Sequence, residues 1–454
     1  MAQRDDALAA LRAVEAELER RWPESRIEPS LTRISALVDL LGSPQRSYPV
    51  LHIAGTNGKT SVARMVDALL TRVALRVGRY TSPHLQSTTE RISLDGTPIS
   101  PERYVEAYQD IAQYVALGEA GAEVPMSRFE VLTGMAFAVF ADAPVDVAVV
   151  EVGLGGSWDA TNVADAVVAT ITPIALDHVE YLGSDLAGIA AEKAGIIKPG
   201  STAVVAEQSP EVARTIAARS LAVDATVARE GMEFGVLHRD VAIGGQRLRL
   251  QGLGGAYDEI FLPLHGAHQA RNAALALATV EAFFGAGASR SLDLDAVREA
   301  FATVTAPGRL ERVRTAPSVF LDSAHNPHGA QALAVALRDE FVFRRLVAVV
   351  GVLRDKDARG ILAELEPVAD ELVVTASNSP RAMDVDELAA VAREVFGEER
   401  IQVEPRLPEA IEAAVALTEE MSPGADRISG AGVVITGSVT TAGEARTLFG
   451  RKPQ

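Results

Sequence analysis

The stretch Tyr48–Val73, YPVLHIAGTNGKTSVARMVDALLTRV, decides the fold of this chain. YPVLHIA is a short, continuously apolar run, the pattern of a strand buried on both faces, and SVARMVDALLTRV carries apolar residues at helical spacing. Between them lies GTNGKTS, Gly55–Ser61. Strand, glycine loop and helix together are the setting a phosphate loop needs. Glycine lets the backbone close on an anion, and the start of the helix aims N–H groups at it. In that reading Gly55, Thr56, Asn57, Gly58, Lys59, Thr60 and Ser61 cradle ATP. Lys59 meets the β- and γ-phosphates, and Thr60 or Ser61 offers a hydroxyl to Mg²⁺. A plain glycine turn entering a helix is the alternative. The spacing is not the general G-x-x-x-x-G-K-[ST], because residue 53 is Ile.

Two helical stretches precede the loop, about Gln3–Arg20 and Leu31–Leu41. Beyond it, VDVAVVEVG (145–153) and AVVATIT (166–172) read as strands, which with helices between them predict a mostly parallel sheet covered on both faces. From about Thr226 to Pro263, short strands with Gly-Gly turns predict a small β-meander, and a helix follows from His268 to Phe284. TAPGRLERV (305–313) interrupts helical patterning with Pro and Gly and marks a boundary. Past it VFLDSA, LVAVVGV, ELVVTAS, RIQVE and GVVITGS restart the β/α alternation. The expected fold class is α/β. An N-terminal P-loop ATPase-type domain with a mostly parallel sheet covers residues 1–308, and a smaller C-terminal Rossmann-like α/β domain covers 309–454.

A formal net charge of −18 argues against bulk attraction to nucleic acid or to an anionic membrane. If the substrates are themselves anions, positive charge has to be supplied locally, by Lys, Arg, Mg²⁺ or helix N-termini. The absence of cysteine excludes disulfides, zinc–thiolate sites, iron–sulfur clusters and thiol catalysis. No run approaches the roughly 18 apolar residues of a membrane span, and the charged start MAQRDDALAALRAVEAELERRW has no apolar signal core. The expectation is a cytoplasmic monomer with neither nucleic acid nor membrane as partner.

The departure at residue 53 is informative. Gly-Thr-Asn-Gly-Lys-Thr-Ser is similar to the loop of the Mur ligase superfamily and, within it, of the folylpolyglutamate synthase/dihydrofolate synthase family. The resemblance runs along nearly the whole chain: LTRISALVDLLGSPQ before the loop, then TSPHLQSTTERI, RFEVLTGMAFAVF, VEVGLGGSWDATNV, ITPIALDHVEYLG, AAEKAGIIKPG, HGAHQARNAALAL, PGRLERV, LDSAHNPHGA, GVLRDKD and TGSVTTAGEAR. Each is weak alone, and in this order they are specific. The resemblance implies an ATP-dependent amide ligase that joins L-glutamate to dihydropteroate or a reduced folate through an acyl phosphate, with ATP and Mg²⁺ as cofactors. Residues 1–308 would bind ATP and the pterin, and 309–454 would form the glutamate-ligase domain.

Individual residues stand out by position and by that resemblance. Glu151 ends the strand VDVAVVE, at the carboxyl edge where open α/β sheets hold ligands, and a carboxylate there suits Mg²⁺. The resemblance makes Glu151 a metal ligand with Ser82, His178 and Thr60. By position alone His178 is as readily a hydrogen-bonded loop residue. Lys193 is, by propensity, an exposed helical lysine. The family carries a carbamate at this lysine, so the resemblance makes Lys193 a carbamylated metal ligand, catalytic beside Lys59, Glu151 and His178, with Glu192 structural. Pro83, His84 and Asp159 fall on the substrate side by the same resemblance, although Asp159 equally suits a helix cap. The family usually has Arg after the paired glycines, where this chain has Ser157 and Trp158.

His268, Gln269 and Asn272 form a polar stripe at one end of an Ala/Leu helix, which packing does not easily bury unpaired. A ligand role and helix capping both account for it. By resemblance Asn272 and Arg309 contact ATP, with Gln269 a weaker candidate, and Arg309 is suited to binding two phosphate oxygens at once. Asp322 and His325 of LDSAHNPHG would meet ATP and glutamate from the second domain. Lys356 of VLRDKD is the candidate substrate-facing charge, although such a cluster is more often a solvated turn.

The chemistry implied is activation of a carboxylate, whose negative charge and resonance discourage an amine. Phosphorylation creates a leaving group, Mg²⁺ and Lys59 would offset charge on the transferring γ-phosphate, and the deprotonated glutamate amine attacks the acyl phosphate. A peptidoglycan-precursor ligase shares the loop but carries a nucleotide-sugar domain before it, for which the 54 residues ahead of Gly55 are few. A non-catalytic ATP-binding switch would leave Asp322 and His325 without a use.

Overall fold

A computed structural model describes residues 2–22, 28–120, 123–285, 291–419 and 430–454. The strands of its largest sheet are β1 (Val50–Ala54), β2 (Val77–Tyr80), β3 (Ile92–Leu94), β4 (Thr97–Pro98), β5 (Val147–Glu151), β6 (Ala166–Ile171), β7 (Thr202–Val205) and β8 (Thr226–Arg229). Their spatial order is β4-β3-β2-β5-β1-β6-β7-β8, parallel from β2 to β8 and antiparallel at the β3 and β4 edge. Every residue of β1 and β5 is buried, which is why VLHIA and VAVVE are apolar without alternation.

Helices cover both faces. On one, Lys59–Arg72 and Ala267–Phe283 share a core in which Val62, Met65 and Leu69 join Ala273, Leu277 and Leu51 of β1. On the other lie Ala2–Glu19, Thr32–Leu40, Pro101–Glu119 and Arg128–Asp142, with Leu18, Leu37, Ile111 and Phe137 packed under Val150 of β5. Local chemistry starts these helices where the sequence says it can. Ser127 accepts the Glu130 N–H while the Glu130 side chain returns to the Ser127 N–H, a capping box.

The antiparallel meander is narrower than expected. It comprises β9 (Gly235–Ala242), β10 (Gly245–Gln251) and β11 (Ala256–Leu262), whereas Thr226–Arg229 pairs in parallel with β7. The reason is the helix Pro210–Ala222 between β7 and β8, which makes that step a crossover rather than a hairpin.

A second sheet holds β12 (Glu311–Thr315), β13 (Ser318–Leu321), β14 (Arg345–Val350), β15 (Glu371–Ala376), β16 (Ile401–Arg406) and β17 (Ala431–Thr436), in the order β12-β13-β17-β14-β15-β16. Only β12 runs antiparallel. Helices Pro327–Glu340, Ala358–Leu365 and Val385–Phe396 cover one face, and Leu407–Glu419 and Val439–Leu448 cover the other. The fold class is therefore α/β with a second, smaller α/β sheet, as expected. Glu340 at the end of its helix reaches back to the first part of the chain. It accepts from the Gly266 N–H at 2.7 Å, lies 2.9 Å from His265 Nδ1 and pairs with Arg239. Among the described residues no helix is long and apolar enough to cross a membrane.

His52 of β1 is fully buried, with Nε2 2.8 Å from Thr161 Oγ1. Burial, helped by the charge of Lys198, pushes its pKa down from 6.5 to about 3. The unfolded chain therefore takes up a proton here as pH falls below about 6.5, which the folded protein refuses. The stability tied to a neutral His52 is complete above that pH and is lost on acidification. Replacing it, His52→Gln, is expected to remove about 1.4 kcal/mol per pH unit of acid sensitivity below about pH 6.5. Urea unfolding at a series of pH values measures this, and an unchanged slope would contradict it.

Candidate active site

The loops after β1 and β6 are laced together. Gly55 has φ +140°, and a Cβ there would lie 1.9 Å from Thr172 Oγ1, so this position admits only glycine. The Thr56 N–H donates to the Pro173 carbonyl at 3.0 Å, and the Thr56 hydroxyl donates to the Ala175 carbonyl, also at 3.0 Å. Gly58, at φ +93°, precedes the helix Lys59–Arg72, and a Cβ on it would meet Asn272 Oδ1 at 2.7 Å. Lys59 Nζ folds back onto the Gly55 and Thr56 carbonyls at 3.1 and 3.2 Å. Desolvation holds this ammonium below its ordinary pKa, against the opposing pull of Glu151 and Asp177.

Glu151, at the end of β5, is 1% exposed, and its two oxygens share the Thr60 hydroxyl at 3.0 Å each. Burial raises its pKa in spite of the Lys59 charge and the Thr60 hydrogen bond. It is not a solvated strand-end acid. His178 adopts a left-handed conformation, φ 51°, and burial drives its pKa down to about 4, so the ring is neutral at pH 7.

Lys193 departs furthest from its propensity reading: on the helix Leu186–Ala194 it is 5% exposed, and burial, followed by the Lys59 charge, lowers its pKa to about 7. The neighbouring glycine loop closes it in. A Cβ on Gly156 would lie 2.5 Å from the Glu192 carbonyl oxygen and 2.8 Å from Lys193 Cα. Glu192 straps that loop down, taking the Gly156 N–H at 3.1 Å, the Trp158 N–H at 3.3 Å and the Ser157 hydroxyl. Ser157, which follows the paired glycines, sits inside this strap.

One cleft of about 700 Å³ is lined by the whole phosphate loop together with Ser82, Pro83, Glu151, His178, Lys193, Asn272, Arg309, Asp322 and His325. The polar stripe of the helix Ala267–Phe283 pairs within itself and with the loop helix. Asn272 donates to Gln269 at 3.1 Å, and Gln269 donates to the Ser61 hydroxyl at 3.4 Å. Asp322 accepts the Leu310 and Ala324 N–H groups, both at 2.8 Å, which holds the turn carrying Arg309 against the end of β13.

Three expected substrate-side residues fall outside this cleft. His84 lines a narrow adjoining cavity of about 40 Å³, accepts from Arg91 Nε at 3.0 Å, and is driven to a pKa of about 3 by burial. Asp159 is 3% exposed and caps the turn Ala160–Val163, accepting the Leu154 and Thr161 N–H groups, both at 2.9 Å. Lys356 lies buried with Nζ 2.6 Å from Asp177 Oδ1. Neither Asp159 nor Lys356 presents a free charge to the cleft, because Asp159 is engaged within its own loop and Lys356 by Asp177 of the loop after β6.

Sequence reasoning passed over Asp177, Asn326 and His328. Asn57 of the phosphate loop exchanges hydrogen bonds with Asn326 at 3.2 Å and approaches His328 Nδ1 at 2.9 Å, so the second sheet touches the phosphate loop directly. The Asn-Pro pair that opens the helix Pro327–Glu340 is the available sequence signal for Asn326.

Hard oxygen donors from Thr60, Ser82 and Glu151 fit a magnesium ion. Among the described residues, no three His, Asp or Glu side chains gather as a metal cluster, so Glu151 needs other oxygens beside it. A glycine loop for phosphate, a buried strand-end carboxylate and a buried lysine, closed over by a second α/β sheet, define an ATP-dependent ligase of the Mur type. Residues 53–280 match the Mur ligase middle domain, and residues 308–439 match the glutamate ligase domain of Mur ligases.

Within the Mur ligases, the chain belongs to the dihydrofolate synthase/folylpolyglutamate synthase family. It is 62% identical over 466 residues to the dihydrofolate synthase/folylpolyglutamate synthase of Mycobacterium tuberculosis, covering 99% of this chain and 96% of that one. The structure of Mycobacterium tuberculosis folylpolyglutamate synthase complexed with ADP matches with TM-score 0.95 at 62% identity, over 99% of this chain and all of that one. Escherichia coli FolC in complex with DHPP and ADP matches with TM-score 0.84 at 31% identity, over 97% of each chain.

Gly58→Ala would force a side chain into the left-handed region and against Asn272. Affinity for a non-hydrolysable ATP analogue is expected to fall about tenfold, measured by calorimetry, and an unchanged affinity would refute this reading of the loop.

Proposed function

We propose that this protein ligates L-glutamate to dihydropteroate and to reduced folates, using ATP and Mg²⁺ and passing through an acyl phosphate. The observation that carries the reading is the shared cleft: the phosphate loop, the Glu151–Thr60 pair and Lys193 face Arg309, Asp322 and His325 across one cavity. The names of the relatives and the nucleotide complexes of the solved structures support it. Residues 1–308 then bind ATP and the pterin, residues 309–454 form the glutamate-ligase domain, and the protein works as a cytoplasmic monomer.

In this reading Gly55–Ser61 hold the phosphates, and Lys59 and Arg309 offset charge on the transferring γ-phosphate. Asn272 braces the loop from the helix that covers it. Thr60, Ser82 and Glu151 hold Mg²⁺, with His178 kept neutral beside them, and the ion when bound supplies further charge stabilisation at the phosphates. Lys193, with its pKa near 7, keeps a substantial unprotonated fraction at neutral pH. Its amine can add CO₂ and release a proton, giving a carbamate that supplies a further anion in the cleft that Glu151 lines. Pro83 lines the acceptor side of the cleft, and His84 and Asp159 support that side from outside it. Asp322 and His325 bring the second sheet to the nucleotide and glutamate. Closure excludes water, so the acyl phosphate meets the amine.

Phosphate release measured with dihydropteroate or a tetrahydrofolate, in the presence of Mg²⁺, is expected only when L-glutamate is added, with a product heavier by one glutamyl unit. Silence with every pterin, from protein that still binds ATP, would overturn the assignment. Lys193→Ala is expected to lower kcat about a hundredfold or more and to abolish a carbamate carbonyl signal in protein equilibrated with ¹³C-bicarbonate. Absence of that signal from the unmodified protein would remove the carbamate from the scheme.

A further inference from the structure

The loop after β6 carries a carboxylate that the chemistry above does not use. Asp177 is 9% exposed and collects four groups: Lys356 Nζ at 2.6 Å and the His178 N–H at 2.8 Å on Oδ1, and Asn326 Nδ2 at 2.9 Å and His325 Nε2 at 3.4 Å on Oδ2. Three of these four come from the second sheet, from the segments that follow β13 and β14. The approach of His325 is set by its other nitrogen, since Nδ1 lies 2.9 Å from the Ser323 carbonyl oxygen and donates to it. Asn326 is shared, because the same amide that donates to Asp177 also donates to Asn57 of the phosphate loop. One node therefore joins the phosphate loop, the loop after β6 and two loops of the second sheet.

A buried ion pair is a poor means of adding stability, because desolvation of both charges offsets most of their attraction. It is a good means of defining one geometry. Its partners are also well solvated when separated, so breaking this node carries no hydrophobic cost of its own. Lys356 fits this use better than a substrate contact, since its ammonium points at Asp177 from a buried position.

We propose that Asp177 is the positioning residue that holds the second sheet shut over the phosphate loop, so that the activated carboxylate reacts with the amine and not with water. The proposal rests on the ligase reading above. In the closed cleft the glutamate nitrogen attacks the acyl carbon, the C–O bond to phosphate breaks, and amide, phosphate and a proton result. In a cleft that opens early, water attacks the same carbon, the same bond breaks, and the carboxylate is regenerated with phosphate. ATP is then hydrolysed with no amide formed.

The test compares the unmodified protein with Asp177→Asn and Lys356→Met, measuring phosphate released and amide formed in the same reaction. The unmodified protein is expected to give a ratio near one. Each variant should bind a non-hydrolysable ATP analogue within a fewfold of normal, lose amide formation about thirtyfold or more, and release clearly more phosphate than amide. The double variant should be no worse than the poorer single one, because both changes open the same node, while Lys356→Arg should restore much of the coupling. A ratio that stays near one in both single variants would overturn the proposal, even with a lower rate, and so would additive losses. Small-angle X-ray scattering with the ATP analogue supplies an arm that needs no acceptor. Larger dimensions in both variants support the latch, and identical dimensions overturn it. If the unmodified protein forms no amide, the ligase reading fails by itself and the scattering decides the latch.

Discussion

A carboxylate removed from water is costly unless something nearby favours its charge, and Glu151 sits in that condition at the centre of the first sheet. The strands around it have both faces covered, so their carboxyl ends gather in a place that solvent scarcely reaches. Lys59 and Thr60 follow from this. One supplies charge and the other a hydrogen bond, and both come from the first turn of a helix that the glycine loop aims at the strand end. Lys193, equally deprived of water, is driven toward neutrality on the facing helix. Burial at the wall of one cleft lets one acid and one amine hold roles that neither would have at the surface.

Much of this was legible in the sequence because it depends on short-range pattern. The strand, loop and helix at Tyr48–Val73 declare themselves by a change of hydrophobic period, and Glu151 by its position where an apolar run stops. Lys193 was legible only by resemblance, because burial of a lysine depends on what passes over it. Here that is Gly156, some forty residues away in sequence, and the Glu192 strap that holds it. The engagement of Asp159 and Lys356 was hidden for the same reason. A charge in a polar loop looks free until the backbone N–H groups or counter-charges that take it are brought into place. The edge strand Thr226–Arg229 was misassigned because four residues carry too little pattern to separate a hairpin from a crossover.

The cleft sets both signs of charge side by side within an acidic chain. The chain as a whole carries a formal charge of −18, and in the cleft Lys59, Lys193, Arg271 and Arg309 are interleaved with Glu151, Asp177, Glu207, Glu230 and Asp322. An anionic surface disfavours adventitious polyanions, so an anionic ligand in the cleft depends on the phosphate loop and on individual cations rather than on a net positive field. Burial makes the two lysines less firmly protonated than the arginines beside them, since it lowers the pKa of both Lys59 and Lys193.

The helix Pro327–Glu340 is tied to the first part of the chain at both ends, by Asn326 at its start and by Glu340 at its finish. Its 14 residues span about 21 Å at 1.5 Å per residue. It is therefore a lever arm with two unlike attachments. Asn326 is held by amide and carboxylate hydrogen bonds at the phosphate loop, while Glu340 is clamped by an arginine, a histidine and a backbone N–H at the helix's other end. With the Glu340 end as fulcrum, a swing of roughly 15° carries the Asn326 end about 5 Å, more than a hydrogen bond can stretch. A rotation small enough to leave both sheets intact is thus large enough to be felt at the phosphate loop as all or nothing.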